Sequence, residues 1–437
     1  MTHRYDVIVV GGGVAGVNAA VEAKSVRPSS SVALVADEDT VYPRPSLTLA
    51  ISGLVKSVDD VSIFSRNSLK AFGVKPFFSM RAISLDSDNR AMTLGDSGRE
   101  KSFEYRKLVL ATGSLPAVPS IPGLDLNGVF SIKWMEDALR LSSFARSGMK
   151  ACVDGAGFAG LEVAQALSQR GLKVTLAVRS RILSQLLEPE LSSRVKEQVE
   201  RFGLEVSMGS LLESIHGKNR VKYVSLNDRR LRTDLVVFAT GVRPNVELAV
   251  GAGLKLGDTG AIATDNNLRT NIESIYAAGD CAETLDLLTG KALYRPLGTV
   301  AARSGETAGS NAAGKRREYR GYLRRQYDRI FGIEIVSMGL STKQATGQGI
   351  EAEVVPIEVP YASNPVLSIL RPSEVLLNAV IEKRSRRIIG WQAIGKPMRT
   401  SWYSQFLEGL IERGEKLSSI QDLGLRVRQN ENAERKM

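Results

Sequence analysis

The apolar run Val7-Ile8-Val9-Val10 stops at a glycine, and the same arrangement returns where Ala151-Cys152-Val153 approaches Gly155. Each run suits a buried parallel strand, and each is followed by apolar positions at helical spacing: Val17, Ala20 and Val21 after the first, Leu161, Val163, Ala164 and Leu167 after the second. The first pattern predicts a strand over Tyr5–Val10, a helix to about Val26 and a returning strand over Val32–Ala36. The second predicts the same unit, closing on a strand over Val174–Val178. Two further apolar runs share one ending, Ala111-Thr112-Gly113 and Ala239-Thr240-Gly241, which marks the two ends of an inserted nucleotide domain. A small-residue helix is expected from Leu297 to Ala313. Beyond the basic stretch that follows, alternation takes over at Glu353–Val359, Val375–Glu382 and Ile388–Ile394, with a charged turn at Lys383–Arg387. A last helix carries Trp402, Phe406, Leu407, Leu410 and Ile411. The expected fold is therefore α/β, with two Rossmann-like domains, the second inserted in the first, and a C-terminal α+β domain. Its expected bounds are 1–112 with 241–320, then 113–240, then 325–425, leaving a polar, charged tail over 426–437 that is expected to be disordered.

Gly11, Gly13 and Gly16, and again Gly155, Gly157 and Gly160, each have their own physical task. The first glycine of a set permits the tight turn off the strand, the second lets backbone approach a pyrophosphate, and the third lets the helix pack closely on the sheet. The pyrophosphate then faces the free N–H groups and positive dipole end of the helix. One such signature is weak evidence, whereas two in strand-to-helix context point to two dinucleotides and to electron transfer between them.

Composition narrows the chemistry. The chain has 437 residues with 43% hydrophobic content, enough for two to four domains, and no apolar run approaches a membrane span. Nothing before the first strand resembles a signal sequence, so a cytoplasmic protein is expected. Cys152 and Cys281 have no CxxC spacing; Cys152, inside a strand, reads as an inert buried thiol. His3 and His216 are the only histidines, one at the N-terminal fringe and one in a polar turn before Gly217, so neither suits a triad base, and no metal cluster is expected. The net charge is +11, and between Lys315 and Arg329 seven cations face only Glu318 and Asp328. That segment is either a solvated face or a dock for an acidic protein partner; no motif accompanies it that would indicate nucleic acid.

Five motifs in order, GGGVAG, ATGSLPAVP, DGAGFAGLE, ATGVRPN and YAAGDCAE, resemble the pyridine nucleotide–disulfide oxidoreductase superfamily over residues 1 to about 425. The resemblance implies FAD at Gly11, Gly13 and Gly16 and a nicotinamide cofactor at Gly155, Gly157 and Gly160, with Thr112, Gly113, Gly241 and Gly279 in the cofactor turns. It implies that Asp280 bonds the ribityl chain, that Leu297, Gly298 and Thr299 approach the pyrimidine end of the flavin, and that Glu162 lies in the nicotinamide region. It places Glu38 at the adenosine ribose of FAD. In the second unit no acid stands at Val178, and Arg179 and Arg181 follow, which favours NADPH over NADH. Asp154 is a departure, because a carboxylate just ahead of Gly155 is desolvated and repels a pyrophosphate unless a backbone N–H or an arginine pairs with it.

The stretch Tyr42-Pro43-Arg44-Pro45 decides the subfamily. The NADH oxidases and coenzyme A disulfide reductases that this chain resembles carry a redox cysteine where Pro45 stands, and rubredoxin and ferredoxin reductases carry a basic residue followed by proline, as in Arg44-Pro45. By that likeness Arg44 would stand near the N5 side of the flavin and stabilise negative charge on its reduced form. The C-terminal pattern, from Phe331-Gly332-Ile333-Glu334 to Gly390-Trp391-Gln392, instead resembles the dimerisation domain of the NADH oxidase group and implies a homodimer; no Tyr, His or Cys follows Tyr403. Three readings stay open: an FAD-dependent NAD(P)H oxidoreductase reducing an acidic ferredoxin- or rubredoxin-type carrier, an NAD(P)H oxidase acting on oxygen or a small acceptor, and a nucleotide-binding regulatory protein that has lost hydride transfer.

Overall fold

The structure is a computed structural model that describes residues 3–96, 99–358, 375–397, 399–423 and 425–427. The chain divides into two compact units, one of residues 1–117, 132–143 and 241–322, the other of residues 118–131, 144–240 and 323–437.

In the first unit, parallel strands stand in the order Val74–Phe77, Val32–Val35, His3–Val10, Arg99–Leu110 and Ile275–Ala277. The valine and leucine side chains of Val7–Val10, Val32–Val35 and Leu108–Leu110 are buried throughout, as parallel strands covered on both faces require. A hairpin, Arg81–Asp86 with Ala91–Asp96, continues the sheet antiparallel to Arg99–Leu110. Helices Val14–Val26 and Gly298–Ala312 cover one face and pack backbone to backbone. A Cβ at Gly305 would lie 2.2 Å from the Ala15 carbonyl oxygen, and one at Gly309 2.2 Å from that of Ala19, so the small residues of both helices set their separation. The chain leaves this sheet and returns to it through a two-stranded ribbon, Ser114–Pro116 with Val242–Pro244.

The second unit repeats the plan. Parallel strands stand in the order Glu205–Met208, Lys173–Val178, Lys150–Asp154, Leu235–Phe238 and Val129–Ser131. A three-stranded antiparallel sheet, Leu212–Gly217, Val221–Leu226 and Arg229–Arg232, buries Leu212, Ile215, Val224 and Leu226 with Val236 and Phe238. Here the expectation for His216 is corrected. The residue lies within a strand rather than a turn, because Gly217 continues the pairing opposite Val221, and its ring stacks 4.5 Å from that of Tyr223.

A six-stranded antiparallel sheet follows, in the order Arg325–Ile330, Ile333–Gly339, Ile388–Gly395, Val375–Glu382, Ala352–Glu358 and Arg426–Val427, with helix Arg399–Glu412 against it. Buried polar groups fasten this sheet to the nucleotide-type fold of the same unit. Glu188, 5% exposed, accepts from the Thr342 N–H and hydroxyl at 2.8 and 2.7 Å, and its own N–H donates to Gln392 Oε1 at 2.6 Å. Leu407, Leu410 and Ile411 are buried as their spacing predicts, while the side chains of Trp402 and Phe406, and the tail beyond Val427, lie outside the described residues. Among the described residues no helix is long and apolar enough to cross a membrane.

Candidate functional site

The first glycine turn has the geometry its sequence requires. Gly11 holds φ at +120°, and a Cβ there would lie 2.0 Å from the Ala111 carbonyl oxygen, so only glycine fits. A Cβ at Gly16 would lie 1.8 Å from the Gly11 carbonyl oxygen, which fixes the helix against the turn. Gly13 differs from both, since no heavy atom lies within 4 Å of a Cβ built on it. It caps helix Val14–Val26 without any side-chain acceptor for the first N–H groups, leaving them open and electropositive.

The second turn reproduces this arrangement in the other unit. A Cβ at Gly155 would lie 2.4 Å from the Ala239 carbonyl oxygen and one at Gly160 1.9 Å from that of Gly155, while Gly157 meets nothing within 4 Å. Gly157 also caps its helix, Phe158–Gln169, with no side-chain partner.

Around the first turn several of the expected residues are joined by hydrogen bonds. A groove of about 540 Å³ runs past Gly11, Ala36, Asp37, Ala82, Thr112 and Asn245 at the carboxyl ends of the strands, where open α/β sheets take ligands. The Thr112 hydroxyl donates to the Asn245 carbonyl at 2.7 Å, and Ala117 N–H to the Gly241 carbonyl at 2.9 Å, tying together the two Ala-Thr-Gly endings. Gly279 N–H donates to Ser304 Oγ at 3.0 Å, so the Gly279-Asp280 turn is fixed to the helix that begins at Gly298, with Leu297 as its cap. Thr299 shares a 2.8 Å hydrogen bond with the Tyr322 hydroxyl. Arg295 Nε, in the segment leading to that helix, is buried with no described partner, a donor left for a bound group.

Two charged networks carry residues that the sequence reading did not single out. In one, Arg44 pairs with Glu38 at 2.8 Å and donates to the Tyr42 oxygen at 2.6 Å and the Lys133 carbonyl at 3.1 Å. Tyr42 also donates to Glu38 and accepts from Met135 N–H at 2.8 Å; burial, with Glu38 beside it, pushes its hydroxyl well above the usual tyrosine range. In the other, Lys133 Nζ donates to Ser114 Oγ at 2.6 Å, Ser114 donates to Asp280 at 2.9 Å, and Lys133 stands 3.8 Å from Asp280. Burial draws the Lys133 ammonium below the ordinary lysine range and Asp280 opposes the shift. Ser114 follows the Ala-Thr-Gly ending and could have been read from it, whereas Lys133 has no local signature.

Around the second turn, burial pushes the half-buried Asp154 up to about 6, and Arg179 opposes the shift. Arg179 is thus the cation whose charge bears on Asp154. Arg181 is turned elsewhere, donating to the Ser184 carbonyl at 3.2 Å. Glu162 is pushed up to about 8, first by burial and then by the Asp328 carboxyl within hydrogen-bonding reach.

The two thiols and the basic segment settle what lies outside these sites. Cys152 and Cys281 are 0% exposed, and burial pushes both well above the ordinary thiol range. The seven cations between Lys315 and Arg329 do not act as one group. Arg324 is buried and spends its guanidinium on the Gly339 and Gln185 carbonyls and Ser337, Arg317 pairs with Glu22 and Glu306, and Arg325 pairs with Glu408. Lys315, Arg316 and Arg320 stay exposed with no described carboxylate within ion-pair distance.

Against this geometry stand the known proteins. Residues 5–304 match the family model described as pyridine nucleotide-disulphide oxidoreductase. The chain belongs to that family. It is 32% identical over 397 residues to an NAD(P)H sulfur oxidoreductase (CoA-dependent) of Pyrococcus furiosus, spanning 90% of this chain and 88% of that one. It is 34% identical over 344 residues to an NADH oxidase of Methanocaldococcus jannaschii, spanning 77% of each. An NAD-dependent persulfide reductase from A. fulgidus has the same fold with a TM-score of 0.90 at 30% identity, covering 97% of this chain and 79% of that one. The family member described here is an FAD-dependent NAD(P)H oxidoreductase.

Proposed function

We propose that this oxidoreductase takes a hydride from NADPH in preference to NADH and delivers electrons to a non-disulfide acceptor, an acidic ferredoxin- or rubredoxin-type carrier. The observation that carries the reading is the state of the thiols: both cysteines of the chain are fully buried with thiols raised away from the reactive thiolate form, so neither attacks a disulfide or a persulfide. That sets the chain apart in chemistry from what its relatives' names say of coenzyme A and sulfur.

FAD, when bound, supplies the two-electron acceptor that also gives up electrons singly. The open cradle at Gly13 between the closed positions Gly11 and Gly16 fits its pyrophosphate, and the second cradle at Gly157 fits that of the nicotinamide cofactor, with Arg179, just past the second strand, the arginine for a 2′-phosphate. Asp280, oriented by Ser114 and Lys133, is the group for the ribityl hydroxyls, and Leu297, Gly298 and Thr299 present a helix N-terminus to the flavin. Glu38 is assigned to the adenosine ribose. With Glu38 so assigned, the 2.8 Å ion pair supports a place for Arg44 beside it at the adenosine end rather than near flavin N5. In this assignment Arg44 and Tyr42 orient the Glu38 carboxylate, and Lys133 is the cation nearest Asp280.

The carrier reading is supported by the exposed cations Lys315, Arg316 and Arg320, which would steer an acidic partner. The second reading, an oxidase acting on oxygen or a small acceptor, is favoured by the likeness to a protein named NADH oxidase. NADPH-reduced protein mixed with air or with an oxidised ferredoxin or rubredoxin separates the two. Fast, salt-sensitive carrier reduction supports the first; reoxidation by air alone, or carrier reduction indifferent to salt, removes the acidic dock.

A further inference from the structure

The helix that follows the second glycine turn, Phe158–Gln169, carries a single ionisable side chain, Glu162. Strand Arg325–Ile330 of the C-terminal sheet packs against this helix, and the join is fixed by Phe331 N–H donating to Gln165 Oε1, one helical turn beyond Glu162. From that strand Asp328 faces Glu162. One oxygen of Asp328 accepts from the Arg329 N–H at 2.7 Å, while the other, Oδ2, is buried and receives no hydrogen bond from any described donor. The Glu162 carboxyl lies within hydrogen-bonding reach of the Asp328 side chain. Two carboxylates cannot both be ionised at that separation in a buried place, and a single proton between them satisfies the orphaned oxygen.

Among the described residues no cation pairs with either carboxyl group. On the strand, Arg325, Tyr327 and Arg329 alternate to the face opposite Asp328; Arg325 pairs with Glu408 and the Tyr327 hydroxyl donates to Glu334 at 2.8 Å. On the strands beneath the helix, Lys150 and Lys173 open their strands at the end far from Glu162, and at the near end Asp154 and Arg179 act on each other.

We propose that Glu162 and Asp328 share one proton at neutral pH, so that Asp328, from outside both dinucleotide motifs, is a positioning residue that keeps Glu162 uncharged in the nicotinamide site, its proton held between the two carboxyl groups. This rests on the reading that the second glycine turn holds the nicotinamide cofactor. The consequence is electrostatic: the pair contributes one negative charge instead of two beside a cofactor that is itself a polyanion. Deprotonation at high pH adds the second charge.

The experiment uses the full chain with its flavin and has two readouts. The first is the infrared difference spectrum of the protonated carboxyl group between neutral and high pH, taken on wild type, Asp328→Asn and Glu162→Gln. A carboxylic-acid band should be present at pH 7 in wild type and lost in both variants, since the amide that Asp328→Asn introduces would donate to Glu162 and let it ionise. The second is the pH dependence of NADP+ binding. Wild type should bind with constant affinity up to about pH 8 and weaken above it. Asp328→Asn should move that inflection down by about 2 units, and Glu162→Gln should abolish it. Unchanged melting temperature and flavin content in Asp328→Asn itself keep a folding defect from imitating the result. A band absent from wild type, or an inflection that stays in place in Asp328→Asn, overturns the shared proton. If wild type binds no NADP+ at any pH, the nucleotide reading and this role fall together, and the infrared band alone decides the shared proton.

Discussion

Replacing Gly157 by alanine separates binding from folding at the second glycine turn. Its φ of −79° and ψ of 178° are ordinary for alanine, and the added Cβ meets no atom within 4 Å. Restricting the unfolded chain stabilises by about 0.4–1 kcal/mol, and loss of glycine at a helix cap offsets this by an amount of the same order, so net stability should change by less than about 1 kcal/mol. The Cβ does, however, occupy the approach to the uncapped N–H groups. Loss of one charge-assisted hydrogen bond is worth about 1.5–3 kcal/mol, so NADP+ affinity should fall roughly 10–100-fold. Gly160→Ala is the control, because its Cβ would sit 1.9 Å from the Gly155 carbonyl oxygen and backbone must move. That variant should lose about 1–3 kcal/mol or more. The assay is thermal unfolding, flavin content and NADP+ titration of the three proteins side by side. Unchanged affinity in Gly157→Ala refutes the assignment of the turn to a pyrophosphate, and an equal loss of stability in both variants refutes the reasoning about space.

Other outcomes follow from the same structure. Asp154, with its pKa raised in the folded state, carries a proton at low pH that the unfolded chain would release; the stability this gives is present below the ordinary carboxylate range and lost as pH rises to about 6. Asp154→Asn should remove that step, which thermal unfolding measured against pH checks. A thiol reagent such as dithionitrobenzoate should label neither cysteine of the native protein, and both after denaturation; fast native labelling of Cys281 would undo the exclusion of thiol chemistry. Arg179→Ala should weaken NADPH roughly tenfold or more through loss of a charge-assisted contact while leaving NADH nearly unchanged, as steady-state kinetics with both donors will show.

The glycine turns were legible in the sequence because what they require is local. A positive φ at Gly11 and Gly155, and the near contact of Gly16 and Gly160 with the preceding turn, are satisfied within a few residues. The networks around Asp280 and Glu38 were not, because they are closed by residues far along the chain: Ser114 reaches Asp280 across 166 positions and Met135 reaches Tyr42 across 93. Charge alone misled at the basic segment, where Arg324 serves three acceptors inside the fold and looks in sequence like its exposed neighbours. The misplacing of His216 has the same origin, since a glycine that marks turns elsewhere here continues a paired strand. Asp328 gave no signal at all; its meaning comes only from the helix it faces.

The most direct test of the account is anaerobic titration of the purified flavoprotein with NADPH and with NADH. The account predicts that NADPH bleaches the yellow flavin stoichiometrically, that NADH does so at higher concentration, and that prior alkylation with iodoacetamide changes neither result. A flavin that neither nucleotide bleaches would leave a nucleotide-binding protein without hydride transfer, and bleaching that alkylation abolishes would mean that a thiol takes part after all.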